Sequence, residues 1–75
     1  MWEVITTISE IDTVKPGTLL AKENPESEKP AIIYRVLNRT VDSITITPDS
    51  NALNENIILK SDALFDEGWW MLKES

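Results

Sequence analysis

The sequence predicts a mainly β protein, a single domain spanning residues 1–75. Short segments rich in β-branched residues are separated by proline, glycine and small polar residues, which is the pattern of strands joined by turns. Ile44–Thr47 shows the two-residue period of a β-strand most clearly, because it alternates apolar and polar residues as a half-exposed strand does. No long window carries an amphipathic helical stripe. These observations place the chain in the all-β class.

Six strands are predicted in chain order. They span Trp2–Ile8, Thr18–Lys22, Ala31–Leu37, Ile44–Thr47, Ile57–Lys60 and Trp69–Lys73. The third is apolar on nearly both faces, so we expect a central, bent strand that serves two walls of a barrel. Lys15-Pro16-Gly17-Thr18 predicts a type II turn, since proline presets φ at the second position and glycine accepts a positive φ at the third. Residues 23–30 and 48–54 are predicted to be polar loops.

One short helical or 3₁₀ turn is predicted before the last strand, at residues 62–67. Ser61 is expected to cap it, and the charge of Asp62 suits a helix N-terminus. Gly68 stands where a glycine commonly ends a helix.

This order of elements resembles a small five- to six-stranded SH3-like barrel, in which a 3₁₀ turn lies between the last two strands. The segments that carry the resemblance are Lys15–Leu20, Ile32–Leu37, Ile44–Thr47 and Asp62–Leu72. The resemblance implies an architecture only. Tyr34 is the only tyrosine, so the paired tyrosines with which signalling SH3 domains bind proline-rich peptides are missing, and fold alone does not imply function.

Charge and composition exclude several classes of function. The chain has 13 acidic and 7 basic residues, a net charge of −6, and its bases are dispersed along the sequence. We therefore expect no direct binding to nucleic acid, whereas an acidic surface complements a basic protein partner. No apolar run approaches the roughly 20 residues needed to cross a bilayer, and the acidic N-terminus does not resemble a signal peptide. The expected location is cytoplasmic, with no membrane contact.

No catalytic, metal or cofactor residue is predicted. The chain has no histidine and no cysteine, which excludes thiolate sites and a Ser-His-Asp triad. The segment that begins at Asp49 is rich in oxygen ligands, but its twelfth position is Lys60 where a calcium loop needs glutamate. Asp62 and Asp66 are interpreted as a solvated acidic turn. We expect no enzyme activity and no cofactor.

The adjacent tryptophans supply the only predicted binding surface. Trp69 and Trp70 are consecutive in a predicted strand, so their side chains must point to opposite faces. Leucine is a better-defined core residue than methionine, which favours Trp70 and Leu72 in the core. The candidate partner-binding residues are then Trp69, Met71, Asp66 and Glu67. The alternative is that the sheet covers both rings, with Trp2 beside them.

The resulting functional hypothesis is a non-catalytic accessory module that binds a protein partner, of the kind that phages or other mobile elements carry. Two alternatives stay open. One is an inhibitor that imitates the charge of DNA and occupies a nucleic-acid site, although the acids are dispersed. The other is a structural subunit whose strand edges pair in an oligomer. We expect a monomer or a small homo-oligomer.

Overall fold

A computed structural model describes residues 1–49 and 56–73 of the chain. The strands are β1 (Trp2–Val4), β2 (Leu19–Ala21), β3 (Ile33–Arg39), β4 (Ser43–Pro48), β5 (Ile57–Lys60) and β6 (Trp70–Leu72). Two single-turn helices, α1 (Ile8–Ile11) and α2 (Ala63–Asp66), follow β1 and β5. In these two ranges no helix is both long and apolar enough to cross a membrane.

The strands form one six-stranded antiparallel sheet in the order β1-β6-β2-β3-β4-β5. Strands β2 to β5 form a meander, after which β6 returns to pair with β2, and β1 pairs with the other side of β6. The register of β3 against β4 shifts between Val36 and Asn38. The mainly β class is therefore confirmed. Within the described ranges β1 and β5 do not pair with each other, so closure of the barrel is not found.

One hydrophobic core lies on the inner side of this sheet. Strand β4 illustrates how the sequence builds it, because Ile44 and Ile46 are fully buried while Thr45 between them faces outward. The buried members of the core cluster are Ile5, Ile11, Val14, Leu20, Val36, Ile44, Ile46, Leu64, Trp69 and Met71. The alternation predicted from the sequence is thus the one that fills the core.

The first predicted strand, Trp2–Ile8, is too long, because β1 ends at Val4 and α1 begins at Ile8. The carboxylate of Glu10 accepts hydrogen bonds from the Thr6 amide (3.3 Å) and from the Thr7 hydroxyl (3.2 Å). The Thr7 hydroxyl caps no backbone amide, and Glu10 reaches the amide of Thr6, one residue before the N-cap. The contact therefore differs from the capping box that the pattern Thr7-Ile8-Ser9-Glu10 suggests in the sequence.

Arg39 binds backbone carbonyls at the C-terminal end of α1 and in the turn that follows. Its guanidinium donates to the carbonyl oxygens of Ile11 and of Val14, the latter at 3.0 Å. The side chain is only 19% exposed. A cation at the C-terminal carbonyls of a helix satisfies groups that have no partner within it.

The two predicted glycine positions are confirmed. Gly17 has φ 96 in a turn closed by a hydrogen bond from the Thr18 amide to the Lys15 carbonyl (3.0 Å). Gly68 has φ 69 after α2. The predicted cap is wrong: Asp62 precedes α2 without a side-chain cap, and the Ser61 hydroxyl donates to the Val41 carbonyl (3.2 Å). Most of the predicted loop at residues 48–54, and half of the twelve-residue segment compared with a calcium loop, lie outside the described residues.

Candidate functional site

The two faces of β6 are the reverse of those predicted. Trp69, which directly precedes β6, and Met71 within it are each only 4% exposed and belong to the core. Trp70 and Leu72 lie on the other face and are partly exposed. The prediction that Trp69 and Met71 form an exposed partner-binding surface is therefore wrong.

The end of α2 decides which tryptophan is inside. The Gly68 amide donates to the Phe65 carbonyl (3.2 Å), and the Trp69 amide donates to the Leu64 carbonyl (3.0 Å). These two bonds form a Schellman motif, in which the residue after the glycine commonly packs against the last helical turn. Trp69 and fully buried Leu64 accordingly lie in the same core cluster. Alternation along β6 then turns Met71 inward as well.

Trp69 is held from two directions. Its ring meets that of Tyr34 edge-on, with centroids 5.7 Å apart. Its indole Nε1 donates to the Glu67 carboxylate (3.1 Å), which also lies 3.6 Å from the Lys22 ammonium. Glu67 therefore helps to fix the position of the Trp69 side chain in the core. Asp66 is exposed on α2, so the four predicted partner-binding residues do not form one surface.

A different apolar surface lies on the outer side of β1, β6 and β2. Trp2 is paired with Leu72, and Val4 with Trp70, so these four side chains share one face. Continuing the β2–β6 register by one residue places Leu19 opposite Leu72. All five side chains are partly exposed. We call the surface formed by Trp2, Val4, Leu19, Trp70 and Leu72 the tryptophan face.

Two open grooves border the tryptophan face. The larger, of about 650 Å³, is lined by Leu19 and Leu72 together with Pro16, Gly17 and Lys15 among others. A smaller groove of about 370 Å³ is lined by residues that include Trp2, Val4 and Trp70. Both volumes exceed that of a single side chain, so each groove offers room for an anchoring residue of a partner.

An ion-pair cluster contributes to both grooves. The Lys73 ammonium lies 2.7 Å from the Glu10 carboxylate and 3.4 Å from that of Glu3. The hydrogen bond from Lys73, assisted by those from Thr6 and Thr7, lowers the pKa of Glu10 from 4.5 to about 2, although partial burial opposes the shift. The same contact raises the pKa of Lys73. Both groups are charged near neutral pH, and the cluster ties α1 to the end of β6.

An acidic segment borders the tryptophan face at Trp2. The Trp2 amide donates to the Glu26 carboxylate (3.2 Å), which brings the loop between β2 and β3 next to β1. Glu23 and Glu28 in the same loop are exposed. The tryptophan face is thus bordered by carboxylates on this side.

Within residues 1–49 and 56–73, no three acidic side chains are grouped so that they could hold a metal ion. The tryptophan face differs from the prediction because Trp70 and Leu72 were expected in the core. The sequence signal for it is the glycine after α2, since the residue that follows the glycine of a Schellman motif commonly packs against the helix. A comparison of the chain with known protein families, with curated proteins and with solved structures found no match.

Proposed function

We propose that the chain is a non-catalytic module that binds a protein partner through the tryptophan face. The observation that carries this proposal is the presence of two partly exposed tryptophans, Trp2 and Trp70, on one side of the sheet with three aliphatic side chains. Tryptophan is enriched among the residues that dominate binding energy at interfaces. Apolar surface gathered in one patch and rimmed by polar residues is typical of an interaction site.

The charge of the molecule favours a basic partner. The net charge is −6, and the exposed carboxylates of Glu23, Glu26 and Glu28 lie in the loop that borders Trp2. Lys73, the cation nearest the smaller groove, is already paired with two carboxylates. Complementary charge accelerates association and makes it sensitive to salt. We therefore expect the association rate to fall as ionic strength rises.

The finer fold assignment is part of the same proposal. Three features support an SH3-like barrel. They are a four-stranded meander, a helical turn, and a last strand that returns to pair with the first strand of the meander. Strand β1 is added to this arrangement beside β6. We also propose a cytoplasmic location. Neither point determines the ligand, because function depends on the surface and not on the fold.

Affinity capture from the native host, followed by titration of the purified partner, tests the binding proposal. Trp70→Ala is expected to weaken binding at least tenfold, because truncation of a tryptophan at an interface centre costs about 2 kcal/mol or more. Phe65→Ala is the matched control, since Phe65 is an exposed aromatic on α2 outside the face. We expect that control to bind within twofold of the wild type.

Folding of each variant is checked by circular dichroism. Leu19→Asn serves as a second variant of the face in case Trp70→Ala is too unstable to assay. The proposal is wrong if folded Trp70→Ala and Leu19→Asn bind as tightly as Phe65→Ala.

A further inference from the structure

Strand β5 forms one end of the sheet. It pairs with β4 along one side, and no described residue pairs with its other side. An edge strand offers a row of backbone donors and acceptors on which another strand can add.

The ladder between β4 and β5 shows which residues of β5 direct their backbone groups towards β4 and which direct them outward. The Ser61 amide donates to the Asp42 carbonyl (3.0 Å), and these two residues continue the printed register by one step beyond Lys60. Hydrogen-bonded pairs alternate along an antiparallel ladder. Ile57 and Leu59 therefore exchange backbone hydrogen bonds with β4.

The intervening residues, Ile58 and Lys60, direct their N–H and C=O groups away from β4 by the same alternation. Their side chains are exposed on the outer face of the sheet, and Ile58 is 72% exposed. Edge strands are usually protected by proline, by bulges, by short length or by charged side chains such as lysine. Strand β5 has no proline and no bulge, and its protection is limited to its four-residue length and to Lys60.

The charge of this region favours a second copy of the chain as the occupant. The chain carries a net charge of −6, which opposes the association of two copies wherever their acidic surfaces meet. Strand β5 holds no acidic residue. The neighbouring outward side chains of β4, Thr45 and Thr47, are uncharged. Pairing along β5 therefore places no acidic residue of this strand opposite another, and the next acid along the chain is Asp62, two residues beyond Lys60.

We propose that two copies of the chain pair antiparallel through the outer edges of β5, which makes their two sheets continuous across a two-fold axis. Leu59 lies opposite Leu59 of the second copy, and the backbone of Ile58 exchanges hydrogen bonds with that of Lys60 in the other copy. Because an edge-to-edge pair joins the same strand of both copies, the contact is isologous and closes at a dimer.

Sedimentation equilibrium from low micromolar to millimolar concentration tests the dimer, and amide exchange followed by NMR tests the edge. The expected result is a mass that rises towards that of a dimer with concentration. Exchange of the Ile58 and Lys60 amides should slow over the same range, whereas the Ile57 and Leu59 amides are protected throughout. A monomer at every concentration overturns the proposal, and so does a dimer that leaves Ile58 and Lys60 exchange unchanged.

Charge variants locate the interface. Ile58→Lys places like charges side by side across the axis and is expected to weaken the dimer at least tenfold. Val41→Lys is the matched control, because it makes the same charge change at an 88% exposed position in the turn between β3 and β4. Equal dissociation constants for these two variants overturn the proposal. Trp70→Ala should leave the dimer intact, which separates this edge from the tryptophan face.

Discussion

Trp69→Ala and Trp70→Ala should lower the free energy of unfolding by very different amounts. Trp69 is 4% exposed, packs edge-on against Tyr34 and donates to Glu67. Truncation of a buried tryptophan costs about 3–5 kcal/mol. Trp70 keeps part of its ring in solvent, so Trp70→Ala should cost about 1–2 kcal/mol by the apolar area it loses.

These costs are large for a chain of 75 residues. At about 0.05–0.15 kcal/mol per residue the whole domain is stable by roughly 4–11 kcal/mol. Each kcal/mol lowers the Tm of so small a domain by about 4–8 °C. We therefore expect Trp69→Ala to lower the Tm by at least about 12 °C, or to unfold the chain at room temperature when its stability lies at the lower end.

Urea denaturation followed by far-ultraviolet circular dichroism measures the change in the free energy of unfolding for both variants. The midpoint should fall for both variants and much further for Trp69→Ala, while the m-value stays close to that of the wild type. If Trp70→Ala costs as much as Trp69→Ala or more, the assignment of Trp69 to the core is refuted. A conservative variant, Trp69→Phe, should fall between the two, because it keeps the aromatic packing and loses the donor to Glu67.

Three further predictions concern the backbone and the charged groups. Gly68→Ala should cost about 1–2 kcal/mol in urea denaturation, because a Cβ at φ 69 is strained even though no atom lies within 4 Å of it; a cost near zero would contradict the Schellman geometry. Arg39→Met should cost about 2–3 kcal/mol, because it removes charged donors from two carbonyls. The matched control Arg35→Met should cost under about 1 kcal/mol, since Arg35 is 54% exposed and pairs with one aspartate. The ion pair of Glu10 with Lys73 should stabilise the fold fully above pH 4.5 and be lost as the pH falls to about 2, because the pKa of Glu10 is lowered in the folded state. Glu10→Gln should remove that component from the pH profile of thermal unfolding, and superimposable profiles would contradict the contact.

Local patterns predicted most of the strands because strand formation and turn chemistry depend on neighbouring residues. Ile44–Thr47 lies within β4, and Ile57–Lys60 coincides with β5. Gly17 and Gly68 adopt the positive φ expected of them. These features follow from side-chain alternation and from the steric freedom of glycine, neither of which requires a partner elsewhere in the chain.

The candidate site could not be predicted in the same way. A strand with apolar residues on both faces has no preferred inner side, so the choice between Trp69 and Trp70 depends on what each face meets. The hydrogen bonds of Gly68 and Trp69 to α2 make that choice. The contact of Arg39 with Ile11 at the end of α1 joins residues 28 positions apart along the chain. Local sequence patterns cannot predict such a contact either.

The sequence by itself determined the mainly β class, the position of most strands and the two glycine turns, because these depend on interactions between near neighbours. Tertiary structure alone decided that β6 returns to β2, that Trp69 and Met71 face the core, and that Trp2 and Trp70 share an outer face. The physical reason is that burial is a property of packed elements. A side chain becomes part of a core or of a surface only when another element covers it or leaves it in solvent.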